Sequence, residues 1–191
     1  TIVVHENHLG PDKHNLWAMQ QSEAYESVIV LEDDSMISPS LFYFAQQALA
    51  YYGNDERIAA ISLYNYERNE VCNYPFMKVN DAYDNYFYMK ASSRGLIITK
   101  EHWLRFKEAK ATPNELDIPP RYLSWSNDIW EKQFNIYLIR ENKYWVYPTV
   151  SLSTNFGELG AHVNRDIYRN AFQTGMQQGI KKQFNFSELK N

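Results

Sequence analysis

The run Val28-Ile29-Val30-Leu31-Glu32-Asp33-Asp34-Ser35 constrains this chain more than any other stretch. Four consecutive apolar residues, three of them β-branched, suit a short strand covered on both faces. Three carboxylates follow at once, where such a strand leaves its sheet. In open α/β sheets, ligands bind outside the carboxyl ends of the strands, so charged chemistry belongs there. Adjacent acids repel one another, and a divalent cation relieves that repulsion. Hard oxygen ligands suit Mg²⁺ or Mn²⁺. The competing reading is a solvated acidic turn that caps the next helix. An apolar strand in front and a helix start behind favour the metal.

The flanking sequence predicts an alternation of strands and helices. Thr1-Ile2-Val3-Val4-His5 reads as a strand, and Pro11 suits the first position of a helix running to about Tyr25. Ser38-Pro39 is a helix start, with Leu41, Phe44, Ala45 and Ala48 at helical spacing and Gly53 at the end. Ile58 to Ser62 reads as a buried strand. This β-α-β-α-β order predicts a mixed, mostly parallel sheet with flanking helices. Further on, strands are expected at 86–89, 96–98 and 144–147, with helices from Thr99 to about Lys110 and from Ser126-Asn127-Asp128 to about Phe134. Residues 153–162 read as a loop with two glycines as hinges. Residues 1–170 are expected to form one domain, followed by a loosely held polar tail over 171–191.

The net charge of −4 and a pI near 5.7 argue against a nucleic-acid partner, which needs a basic surface. No apolar run approaches the ~20 residues that span a bilayer. The single cysteine, Cys72, offers no internal disulfide and fits a reducing, cytoplasmic setting. Aromatic residues make up 16%, enough to stack sugar rings as well as fill a core.

Residues 28–44 resemble the metal-binding segment of the GT-A glycosyltransferases, of the N-acetylglucosaminyltransferase I kind and its bacterial nucleotide-sugar transferase relatives. In both, an apolar strand runs into Glu-Asp-Asp and then a proline-initiated, phenylalanine-rich helix. Three further stretches match in order: Ile58 to Asn65, with its Ser-x-x-Asn turn; Ser92 to Thr99 with Trp103; and Trp125 to Trp130, followed by Pro148 and Asn155-Phe156-Gly157. The resemblance covers roughly residues 5 to 163 and implies a GT-A α/β domain. In the family another strand–helix unit stands before the equivalent of Thr1 and holds the nucleotide base, so this stretch is expected to be an N-terminally truncated GT-A domain.

The resemblance implies that Asp34 coordinates Mn²⁺ (or Mg²⁺), which bridges the diphosphate of a nucleotide-sugar donor such as a UDP-sugar. It implies that Glu32 and Asp33 contact the donor's ribose and sugar hydroxyls, and that Asp128 is the general base at a carbohydrate acceptor. His162 is a candidate second metal ligand, and Asn155, Phe156, Gly157 and Gly160 a candidate lid. Trp125 and Trp130 suggest apolar surroundings for Asp128, which would raise its proton affinity; its alternative role is an ordinary helix cap. Lys13 and Arg94 are candidate phosphate or acceptor contacts. The expected function is a metal-dependent inverting glycosyltransferase. The alternatives are a non-catalytic carbohydrate-binding or scaffold module and, with less support, a metal-dependent phosphohydrolase.

Overall fold

The computed structural model describes residues 1–69, 74–78, 80–110, 120–155 and 173–190. In chain order its elements are α1 (Gly10–Gln20), α2 (Ser22–Tyr25), β1 (Ser27–Val30), β2 (Ser35–Ile37), α3 (Leu41–Tyr52), β3 (Ile58–Ser62), β4 (Asn85–Tyr88), β5 (Leu96–Thr99), α4 (Lys100–Lys110), α5 (Pro120–Leu123), α6 (Trp130–Arg140), β6 (Tyr144–Pro148) and β7 (Ser153–Asn155). Five strands form one sheet in the order β1-β5-β3-β6-β4, and β2 pairs with β7 in a separate ribbon.

The protein is therefore α/β with flanking helices, but the expected mostly parallel sheet is corrected. Only β3 and β6 pair in parallel; β1–β5, β3–β5 and β4–β6 are antiparallel. The alternating pattern misleads because β5 enters the sheet between β1 and β3 after the irregular stretch beyond residue 63. Strands β1, β3 and β6 still share one direction, so their carboxyl ends lie along one edge of the sheet.

Side chains alternate between two cores with the period of two that a strand imposes. Leu96 and Ile98 of β5 and Trp145 and Tyr147 of β6 join α1, α4 and α6 on one face. Ile97 and Val146 join α3 on the other. All of β3 is buried, and its two alanines leave room for the helices on the first face. There the Phe106 and Phe134 rings stack 4.3 Å apart, joining α4 to α6; truncating such a ring costs about 3–5 kcal/mol.

Several boundaries move for identifiable reasons. Thr1 to His5 forms no strand: Ile2 and Val4 are 90% and 85% exposed, and no strand among the described residues pairs with them. Helix α3 starts at Leu41, because the Ser38 hydroxyl is drawn into a local turn, accepting from the Ser40 N–H at 3.1 Å. Thr99 caps α4 as expected, its Oγ1 accepting from the His102 N–H at 3.2 Å. Strands β2 and β7 were not expected; both are three residues long, too short for a periodicity to show.

The polar tail is docked rather than loosely held. The hydroxyls of Ser38 and Ser40 donate to the carbonyls of Gln177 and Gly179. Asp84 accepts from Lys181 Nζ at 2.6 Å and from the Asn185 N–H at 2.8 Å. Phe184 and Phe186 lie against Phe44, with ring centres 5.1 and 5.5 Å away. Residues 173–190 thus strap the outer face of α3 with two aromatic anchors that a composition rich in Gln, Lys and Asn hides. Among the described residues no helix is long and apolar enough to cross a membrane.

His102 is 1% exposed, and neither ring nitrogen has a hydrogen-bond partner. Burial lowers its pKa from 6.5 to about 4; Arg105 and Lys143 oppose its charge and Asp55 favours it. The unfolded chain therefore takes up this proton first as pH falls. The stability held by the neutral ring is complete above pH 6.5 and is lost between 6.5 and about 4. Over that window the loss is about 3 kcal/mol. His102→Leu is expected to flatten the fall in Tm across this range; an unchanged slope would show that His102 does not carry it.

Candidate functional site

Strand β1 ends at Val30, and the chain turns at once. The Ser35 N–H donates to the Glu32 carbonyl at 3.1 Å, which closes a β-turn with Asp33 and Asp34 at its centre. The chain then leaves as β2. All three acids thus sit at the carboxyl edge of the sheet, as the sequence predicts. Glu32 and Asp34 are half-buried and Asp33 is exposed. Strand β1 itself lies at the end of the sheet with only Val30 buried, so its expected cover on both faces is not met.

Close packing over a bare glycine supports the turn. Gly95 has φ +98°, and a Cβ there would lie 2.7 Å from Ser153 Oγ, 3.2 Å from Leu63 Cβ and 3.3 Å from Leu31 Cδ2. Those neighbours come from β7, from the exit of β3 and from the residue beside Glu32. Hydrogen bonds join residues 94–95 to two of these segments, and those two to each other. The Leu63 N–H donates to the Gly95 carbonyl, and Ser153 Oγ to the Arg94 carbonyl. The Leu63 carbonyl accepts from the Leu152 and Ser153 N–H groups. The Ser-x-x-Asn turn forms here too, with Ser62 Oγ accepting from the Tyr64 N–H and Ser151 Oγ from the Asn65 N–H. Ser35 pairs with Asn155, so the start of the candidate lid lies beside the acids.

Burial raises the pKa of Glu32 from 4.5 to about 7. A hydrogen bond with the Ser93 side chain and the charge of Arg94 oppose that rise, and the nearby Asp34 and Glu131 carboxylates add to it. The Arg94 guanidinium lies 5.2 Å from the centre of the Tyr64 ring and 6.0 Å from that of Tyr66, a setting for cation–π attraction. Among the described residues the Asp33 and Asp34 carboxylates have no hydrogen-bond or ion-pair partner. Ser93 and Glu131 escape sequence reasoning, since neither spacing nor residue type marks a contact between segments 38 residues apart.

Helix α6, which follows Asp128, reaches the same edge through Glu131. Its Glu131 accepts from the Ser93 N–H at 2.9 Å, and its Asn135 from the Ala91 N–H at 2.8 Å. The helix begins at Trp130 rather than at Ser126-Asn127-Asp128, and its first N–H is accepted by Asp12 of α1 at 3.0 Å. Asp12 thereby takes the capping role that the sequence left open for Asp128. Residues 125–128 instead form a turn. Buried Lys132 donates to the Trp125 carbonyl at 2.6 Å and to Asn127 Oδ1 at 2.8 Å. Gln133 donates to the Asn127 carbonyl. Asp128 is exposed, and the expected apolar surroundings do not form: Trp130 turns into the core, and Trp125 packs against Tyr122.

Phe156, Gly157, Gly160, His162 and Cys72 lie outside the described residues. Among the described residues no three His, Cys, Asp or Glu side chains converge as metal ligands. A Mg²⁺ or Mn²⁺ ion held by one or two carboxylates and completed by phosphate and water needs no such triad. Asp34, half-buried and with no partner among the described residues, fits that kind of site. No protein-family model matches the chain, and no curated protein sequence matches it.

Gly95→Ala is expected to strain the backbone and to push the three segments apart, at a cost of about 2–4 kcal/mol. Tm should fall by roughly 5–15 °C. An unchanged Tm would show that the close contact at Gly95 does not support the turn.

Proposed function

We propose that the chain carries the catalytic edge of a metal-dependent, inverting glycosyltransferase of the GT-A kind, acting on a nucleotide-diphosphate sugar, most simply a UDP-sugar, and a carbohydrate acceptor. The observation that carries this reading is the Glu32-Asp33-Asp34 turn at the carboxyl edge of the sheet, with Asp34 half-buried and, among the described residues, without a protein partner. Arg94 stands beside it, and Asp128 has been relieved of its capping role by Asp12.

Asp34 would hold a Mn²⁺ or Mg²⁺ ion, which supplies charge neutralisation for the departing diphosphate when bound. Glu32 would face the donor's hydroxyl groups, where an acid with its pKa near 7 can donate or accept a hydrogen bond. Asp33 would add a second acceptor, and Arg94 would offset the charge that builds on the phosphate oxygens. Asp128 would accept the proton of the acceptor hydroxyl as its oxygen attacks the anomeric carbon. The bond from that carbon to the phosphate oxygen breaks in the same displacement, and its electron pair leaves with the nucleotide diphosphate. Attack from the face opposite the leaving group inverts the centre.

A second reading, a carbohydrate-binding or scaffold module of the same fold, draws support from the exposure of Asp128, which lacks the dry surroundings that would strengthen a base.

Calorimetric titration with UDP, with and without Mn²⁺, and transfer from UDP-sugars to a panel of saccharides would separate these readings. Asp34→Asn is expected to lose metal-coupled UDP binding at an unchanged Tm. Asp128→Asn is expected to keep that binding and to lose transfer by about 10²–10⁴-fold. Equal metal-coupled binding by Asp34→Asn would remove the metal assignment. Full transfer by Asp128→Asn would remove the base, and metal-coupled binding with no transfer by the parent would favour the binding module.

A further inference from the structure

Helices α1 and α4 present matching stripes to one another. On α1, Lys13, Leu16 and Trp17 recur at three- and four-residue spacing; on α4, Trp103, Phe106 and Lys110 do the same. These six side chains line a pocket of about 360 Å³ between the two helices. That volume lies at the lower end of the ~300–1,000 Å³ typical of small-molecule sites.

The floor is apolar. Trp103 and Phe106 are buried and Leu16 and Trp17 half-buried. The one polar atom of the buried indole is already used, since Trp103 Nε1 donates to Glu23 Oε1 at 2.7 Å. The same carboxylate oxygen holds Lys107 Nζ at 3.0 Å. Glu23 belongs to α2, which packs on α4, so this contact closes one end of the groove and neutralises the lysine there.

Lys13 and Lys110 are different. Both line the pocket and both are exposed, and among the described residues neither has a carboxylate partner. Among the described residues no acidic side chain lines the pocket, in a chain whose net charge is −4. Two cations above an apolar floor are complementary to a molecule with an apolar body and an anionic end. The concave shape between two helices suits a single inserted molecule; a membrane surface is met by a protruding apolar face with basic residues around it.

We propose that the pocket between α1 and α4 binds a soluble amphiphilic acid, its acyl body on Leu16, Trp17, Trp103 and Phe106 and its carboxylate at Lys13 and Lys110. The site is separate from the acidic turn and does not depend on the reading given to it.

Tryptophan emission of the full chain tests this, because Trp17 and Trp103 line the pocket. Titration with decanoate below its micelle concentration is expected to give a saturable change. Decanol, which lacks the charge, and the K13E/K110E double variant with decanoate should each bind roughly tenfold more weakly. The two lysines are exposed, so the variant should keep the parent's Tm without ligand. The absence of a saturable change, equal affinity for decanol, or equal affinity in the double variant would overturn the proposal. So would a response confined to phosphatidylglycerol vesicles, which would mark a membrane contact instead.

Discussion

The close approach of three chain segments at Gly95 is the contact on which the rest of the edge depends. Side chains from the exits of β1 and β3 and from the start of β7 crowd the space that a Cβ at Gly95 would fill. At φ +98° a residue with a side chain would be strained, and its Cβ would occupy the space the other segments use. Because Gly95 lets them meet, the Leu63 carbonyl can serve two N–H donors from residues 152 and 153. Strand β7 can then pair with β2 directly behind the acidic turn. Side chains packed over the bare Gly95, together with backbone hydrogen bonds around it, fix where the carboxylates stand.

That placement determines the electrostatics. A half-buried Glu32 beside Asp34 and Glu131 resists ionisation, and the Ser93 hydrogen bond and Arg94 only partly relieve it. Natural chains keep such an arrangement where a cation or a hydrogen-bonding ligand completes it, since unpartnered acids in a partly dry setting are costly. Helix α6 completes the edge from the other side. Asp12 caps it, Lys132 and Gln133 pin the turn ahead of it, and Glu131 ties it to the residue that meets Glu32. Glu131, Ser93 and Glu32 thereby link the start of α6 to the acidic turn.

Much of this was legible in the sequence where the signal was local. The apolar run before Glu32, the helical spacing from Leu41 to Ala48, the Thr99 cap and the Ser62 turn each depend on neighbours a few residues away. What was hidden depends on distant partners. Nothing within Leu96 to Thr99 says that the strand runs antiparallel between β1 and β3, because direction is set by the path of the preceding thirty-odd residues. The capping of α6 by Asp12 spans 118 residues, and the docking of Phe184 on Phe44 spans 140. Ile2, Val3 and Val4 show the converse: a strong local strand pattern forms no strand without a neighbour to pair with.

The central claim is that the acidic turn takes a metal ion together with a nucleotide diphosphate. Thermal unfolding of this chain with UDP, GDP or CDP, each with and without Mn²⁺, tests it most directly. A ligand at ~100 times its dissociation constant adds about 2.7 kcal/mol, a rise in Tm of several degrees at this size. The account predicts a rise that needs one nucleotide and the metal together. A Tm that no combination moves, or that a nucleotide raises equally without metal, would contradict it.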